Sequence, residues 1–270
     1  MCSVESPQTL FLQHALARLK NFPWVEAVLV AGAPITQAED AFSDVDLVIV
    51  CREADYDRVL ADRPAIAESL GNLLAAFTGE HVGEPRLLIC LYDEPLLHVD
   101  LKFVTADALT HRVETPLVAF DRPGTVNAVL QAGTAAWPAR TPEWFEERFW
   151  IWVHYGAAKI ARGELLEAHD MLAFIRSQVL GPMIARNGGH RQRGVRRLEF
   201  ESPDQVSALI QTIARYDRTD CWRALEAAVE LYRRYRRPHP PGNHRPETES
   251  AVIAYVAAHR APSARRAAES

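Results

Sequence analysis

The sequence predicts an α+β protein: a mixed sheet with flanking helices in residues 1–138, then an all-helical domain in residues 139–262 and a frayed tail over 263–270. Three observations carry this. Short runs rich in valine, isoleucine and leucine recur between residues 25 and 104, as strands do. Beyond residue 140 no such run returns, and apolar residues fall at helical spacing instead. A chain of 270 residues, 48% hydrophobic and 24% charged, has material for two ordinary cores.

In chain order, Leu10, Leu12, Ala15, Leu16 and Leu19 lie at near-helical spacing and predict a helix over 7–21. "VEAVLVAG" (25–32) reads as a short strand ending at Gly32. "APITQAEDAF" is a connector, and "VDLVIVC" (45–51) is a second strand. Residues 54–78 read as helical, with Leu60, Ile66, Leu70, Leu73, Leu74 and Phe77 on the apolar side. "RLLICLYD" (86–93) and "LLHVDLKFV" (96–104) are two further strands. Pro95 sits between them, and their short separation predicts an antiparallel hairpin.

The second half opens with a strong helix start: Thr141 as N-cap, Pro142 at the first position and Glu143 in the first turn. Helices are expected over 142–162, 164–186, 203–216, 218–236 and 247–260. The glycine- or proline-rich segments 186–194 and 237–247 break them. In "FWIWVHYGAAKIARGE", Phe149, Trp150, Val153 and Ala157 share a face and read as core.

The formal net charge of −5 argues against a general nucleic-acid binder, which is usually basic. Cys2, Cys51, Cys90 and Cys221 lack the close spacing of a zinc or redox motif. Cys51 and Cys90 end apolar runs and read as reduced core thiols. The N-terminal residues have neither the basic start nor the apolar stretch of a signal peptide. No run approaches the about 18 apolar residues of a membrane span. A cytoplasmic protein is expected.

The segment "FSDVDLVIV" (42–50) breaks a local rule, because aspartate is depleted in strands. On a strand, residues i and i+2 face the same way, so Asp44 and Asp46 project together while Val45 and Leu47 enter the core. Two adjacent carboxylates repel unless a cation lies between them, and such hard oxygen ligands suit Mg²⁺. "LLHVDLKFV" repeats the pattern, with His98, Asp100 and Lys102 on one face. If the two strands are neighbours, Asp100 is a third carboxylate of the same site, and the three could orient a nucleoside triphosphate through one or two Mg²⁺ ions. Gly32 closes the strand before, where a glycine lets backbone amides approach a phosphate.

Strand, Gly32, a dozen residues, "SDVDL" and a later strand carrying "VDL" resembles the DNA polymerase beta nucleotidyltransferase superfamily. The likeness covers roughly residues 25–104. With the helical second half, the layout is most similar to the nucleotidyltransferases that modify aminoglycoside or lincosamide antibiotics. The resemblance implies a catalytic domain over 1–138 and a helical substrate- and nucleotide-binding domain over 139–262, with the acceptor in the cleft between them. It implies Mg²⁺ on Asp44 and Asp46, with Asp100 as metal ligand, as base for the acceptor hydroxyl, or both. Gly32 and Ser43 would line the triphosphate, and ATP is the expected co-substrate. The sequence departs from the pattern after Gly32, where Ala33 and Pro34 stand in place of the usual serine.

Tyr155 and Lys159 are helical neighbours four residues apart. By the same resemblance they would meet the base and the triphosphate. Arg191, Arg193, Arg196 and Arg197 form a basic loop, either anion-binding or simply solvated. The basic end of 231–241 suits a helix C-terminus. Glu164, Glu167 and Asp170 could hold the amines of a cationic acceptor. His154, His169 and His190 lack metal-ligand spacing. A small-molecule hydroxyl is the favoured acceptor. A tRNA end or a protein side chain, or a nucleotide-binding module without transfer activity, are the other readings. The sequence leaves the oligomeric state open.

Overall fold

The computed structural model describes residues 5–32 and 40–260. The chain divides into two compact units, Met1–Trp137 and Pro138–Ser270.

The first unit opens with α1 (Pro7–Leu19), capped by Ser6, whose hydroxyl accepts from the Thr9 N–H. Strands β1 (Val25–Ala31) and β2 (Val45–Cys51) pair antiparallel. Helix α2 (Tyr56–Glu68) leads to β3 (Leu73–Gly79), and β4 (Glu84–Tyr92) and β5 (Leu97–Val104) follow. The expected hairpin is present, with β4 antiparallel to β5. A short strand β6 (His111–Arg112), β7 (Leu117–Asp121), helix α3 (Val126–Ala132) and β8 (Thr134–Ala135) complete the unit. Six strands form one mixed sheet in the order β3-β4-β5-β2-β1-β7, and β2 and β5 run parallel at its centre.

One expected element is wrong. Residues 54–78 are not one helix: α2 ends at Glu68 and residues 73–79 form β3. Leu73, Leu74 and Phe77 continue the helical spacing of Ile66 and Leu70, which conceals the break at Gly71 and Asn72. At the sheet edge, among the described residues, β3 pairs with β4 alone, and Leu74 and Phe77 are exposed. Strand alternation is weak there because neither face is well covered.

The sheet has two unlike faces. Val45, Leu47 and Ile49 of β2 and Val99, Leu101 and Phe103 of β5 pack on one side with Ala15 and Leu19 of α1 and Val59, Ile66 and Ala67 of α2. On the other side, Val50, Val104, Ala27 and Leu29 pack with Val126 and Leu130 of α3. That second core covers the later halves of β2 and β5. Their earlier halves carry Asp46 and Asp100, which are only half-buried. Cys51 and Cys90 are buried, as expected, and burial pushes both thiols up to about 12.

The second unit is helical. Helix α4 (Pro142–Arg162) carries the Thr141 cap and buries Phe149, Trp150, Val153 and Ala157. Helix α5 (Leu165–Ile175) passes through a π turn at Arg176–Leu180 into α6 (Gly181–Asn187). Short helices α7 (Leu198–Glu201) and α8 (Pro203–Ile210) precede α9 (Arg218–Arg236) and α10 (Pro246–Arg260). Helix α8 stops six residues short of the expected end, where Arg223 of α9 donates to the Gln211 and Ile213 carbonyls. Two of the basic residues at the end of α9 do more than match a helix dipole. Arg233 and Arg236 both bond Glu249, and Arg236 also bonds the buried Glu146. Among the described residues no helix is long and apolar enough to cross a membrane.

Candidate active site

The parallel register of β2 and β5 sets Asp46 directly beside Asp100. Parallel strands with matched alternation point both carboxylates to the same face. Asp44 stands two residues before Asp46, just outside the strand. Its negative charge reaches Asp100. Burial raises the proton affinity of Asp100 above the ordinary carboxylate value, and the charge of Asp44 adds to the rise. His98 opposes it, with Nε2 3.0 Å from Asp100 Oδ1.

Gly32 closes the site from β1. Ala31 pairs with Asp46 across the antiparallel ladder, so the next residue falls beside the Asp46 side chain. Gly32 has φ +77°, and a Cβ placed on it would lie 2.1 Å from Asp46 Oδ2. Only glycine fits both the backbone and the space. Its N–H donates to Glu114 Oε1 at 3.0 Å. Glu114 is therefore a fourth carboxylate at this corner. Sequence reasoning missed it, because "RVETP" carries no periodic or motif signal.

Ser43 lies in the turn before Asp44, but its hydroxyl is occupied. It accepts from the Asp40 N–H at 2.9 Å and donates to Asp40 Oδ1 at 3.1 Å. Ala33, which departs from the pattern of the resemblance, lies outside the described residues.

Tyr155 and Lys159 belong to the second unit and do meet each other. Lys159 Nζ lies 5.1 Å from the centre of the Tyr155 ring. Both also hold acids: Lys159 Nζ donates to Glu164 at 2.6 Å and Tyr155 Oη to Glu167 at 2.5 Å. The bond to Glu164 raises the proton affinity of Lys159, and the bond to Glu167 raises that of Tyr155. Glu164 and Glu167, considered above for an acceptor's amines, are thus engaged within the helical unit.

Among the described residues, no three His, Cys, Asp or Glu side chains are gathered closely enough to hold a metal ion as they stand. The donor chemistry nevertheless fits a hard divalent cation. Asp44, Asp46 and Asp100 offer only carboxylate oxygens, and the space that a Cβ at Gly32 would take is held by the Asp46 carboxylate itself.

The chain is similar to several solved structures, among them two nucleotidyltransferase-type proteins. One is an aminoglycoside 6-adenyltransferase from Bacillus subtilis, 15% identical, with a TM-score of 0.41, the match covering 96% of this chain and 100% of that one. The other is a nucleotidyltransferase-like protein from Exiguobacterium sibiricum, 14% identical, with a TM-score of 0.37, covering 85% of this chain and 74% of that one. No family model and no curated protein matches the chain.

Proposed function

We propose that the chain is a Mg²⁺-dependent nucleotidyltransferase. It moves a nucleoside monophosphate, AMP from ATP, to a hydroxyl of a small molecule such as an aminoglycoside or lincosamide antibiotic. The observation that carries this reading is the register of Asp46 with Asp100, joined by Asp44 and closed by Gly32. Carboxylates brought together on a half-open sheet face are unfavourable unless something positive joins them.

Asp44 and Asp46 would hold the metal, with Asp100 beside them. Bound there, Mg²⁺ supplies charge neutralisation for the triphosphate and orientation of its α-phosphorus. The acceptor oxygen bonds to that phosphorus as the bond to the bridging oxygen of the β-phosphate breaks. Pyrophosphate leaves with the electron pair, and the hydroxyl proton passes to Asp100. Its place in register beside Asp46 sets it next to the metal-binding carboxylates, where the acceptor hydroxyl would lie. Little covalent help is needed, since positioning and charge dominate such transfers. In the helical unit, Lys159 and Tyr155 are the groups proposed for the triphosphate and the base. Lys159 would exchange Glu164 for a phosphate.

One observation favours a second reading, a nucleotide-binding module without transfer. The Gly32 N–H proposed to meet a phosphate already serves Glu114. A pyrophosphate-release screen with ATP, Mg²⁺ and a panel of aminoglycosides, lincosamides and other polyols separates the two. Release that is lost in Asp100→Asn supports transfer. Mg²⁺-dependent nucleotide binding with no release from any acceptor supports the module.

A further inference from the structure

We propose that Gln8 is a positioning residue for Asp44, acting through the turn at residues 40–43. The inference rests on the carboxylate site proposed above. Asp44 has a problem that Asp46 and Asp100 do not. It lies one residue before β2, outside the paired positions of the strand. The peptide that precedes it helps to place it. A peptide unit is planar, so the direction of the Ser43 carbonyl sets the positions of the Asp44 nitrogen and Cα.

That carbonyl is held from α1. Gln8 Nε2 donates to the Ser43 oxygen at 3.0 Å, with the Asp40 and Ala41 oxygens at 3.4 and 3.5 Å. The amide thus faces three carbonyls of one turn. Three donors of the turn are met within it: the Phe42 N–H donates to Asp40 Oδ1, the Ser43 N–H to the Asp40 carbonyl, and the Asp40 N–H to Ser43 Oγ. Its carbonyls face the helix, where Gln8 receives them.

Gln8 is an unusual residue for its place. It is only 4% exposed, and among the described residues its buried Oε1 has no hydrogen-bond partner. A buried amide with an unmet oxygen is unfavourable, and an apolar side chain of similar length would avoid that cost. Packing alone does not account for a glutamine here. The bond from its nitrogen to the residue before Asp44 does, as a local rule broken beside a site.

The test is calorimetric titration of the full chain with a non-hydrolysable ATP analogue, with and without Mg²⁺. The proteins are wild type, Gln8→Met and Gln8→Glu. Met keeps the length and removes the amide, while Glu keeps the shape and sets a carboxylate against the three carbonyls. We expect metal-free affinity to be unchanged in both variants, and the gain in affinity on adding Mg²⁺ to fall by about tenfold, equivalent to about 1.4 kcal/mol. In turnover, kcat falls in parallel while the acceptor KM holds. A purely structural role lowers the folded fraction and leaves the Mg²⁺-dependent gain of the folded protein intact. That result in both variants, or the unfolding of both, overturns the inference and leaves the carboxylate site standing. No Mg²⁺-dependent gain in wild type overturns the carboxylate site itself, and this inference with it.

Discussion

Replacing Gly32 by alanine separates backbone strain from damage to the site. An alanine at φ +77° occupies the left-handed region, which costs about 1–2 kcal/mol for a residue with a Cβ. Its Cβ would also lie 2.1 Å from Asp46 Oδ2, well inside the 3.0 Å below which real Cβ contacts are essentially absent. The carboxylate must therefore withdraw by about 1 Å, and a misplacement of that size costs on the order of 100-fold in rate. Rotating a short side chain takes little energy, so the loss falls on function more than on stability. Gly83 supplies the control. It has φ +75° and nothing within 4 Å of an added Cβ. Gly83→Ala should lose about the same stability as Gly32→Ala and keep full activity. The assays are thermal denaturation and pyrophosphate release, run side by side. Gly32→Ala with activity and Mg²⁺-dependent nucleotide affinity within about twofold of Gly83→Ala would refute the placement of Gly32 against a working Asp46, since about 100-fold is expected.

Three further outcomes follow from other parts of the chain. The bond from Arg86, aided by Lys102, lowers the Glu84 carboxyl to about 2. Its contribution to stability is complete above the ordinary carboxylate value of 4.5 and is lost as pH falls toward about 2, so Glu84→Gln should flatten the pH dependence of Tm across that window. Glu146 is buried and bonds Tyr232, Arg236, Trp150 and the Arg245 N–H, so Glu146→Ala should lower stability by about 3–5 kcal/mol in urea unfolding. An unchanged midpoint would contradict that network. Burial raises the Cys51 and Cys90 thiols to about 12, so neither should react with a thiol reagent at neutral pH until the protein is unfolded.

Much of the candidate site is legible in local patterns. Alternation in "VDLVIV" placed Asp46 opposite the core, and the aspartates stood out because strands seldom carry them. The same alternation in "HVDLKF" put Asp100 opposite Val99 and Leu101. What periodicity does not encode is which strands are neighbours. The parallel pairing of β2 with β5 joins segments about fifty residues apart, and the register that matches Asp46 to Asp100 is a property of the assembled sheet. The helical spacing over residues 54–78 runs past the end of α2 because an edge strand with exposed leucine and phenylalanine imitates an amphipathic helix. Gln8 and Glu114 were invisible for another reason. Each is a single polar residue whose partner lies 35 or 82 positions away, and no short pattern marks such a bond in advance.

The central claim is that Asp44, Asp46 and Asp100 form one Mg²⁺–nucleotide site. It is tested most directly by calorimetric titration of ATP into wild type, Asp44→Asn, Asp46→Asn and Asp100→Asn, each with and without Mg²⁺. The account predicts a Mg²⁺-dependent gain in nucleotide affinity in wild type that Asp44→Asn and Asp46→Asn abolish and Asp100→Asn weakens, with all four proteins equally folded by circular dichroism. Identical Mg²⁺ responses in wild type and Asp44→Asn would contradict it.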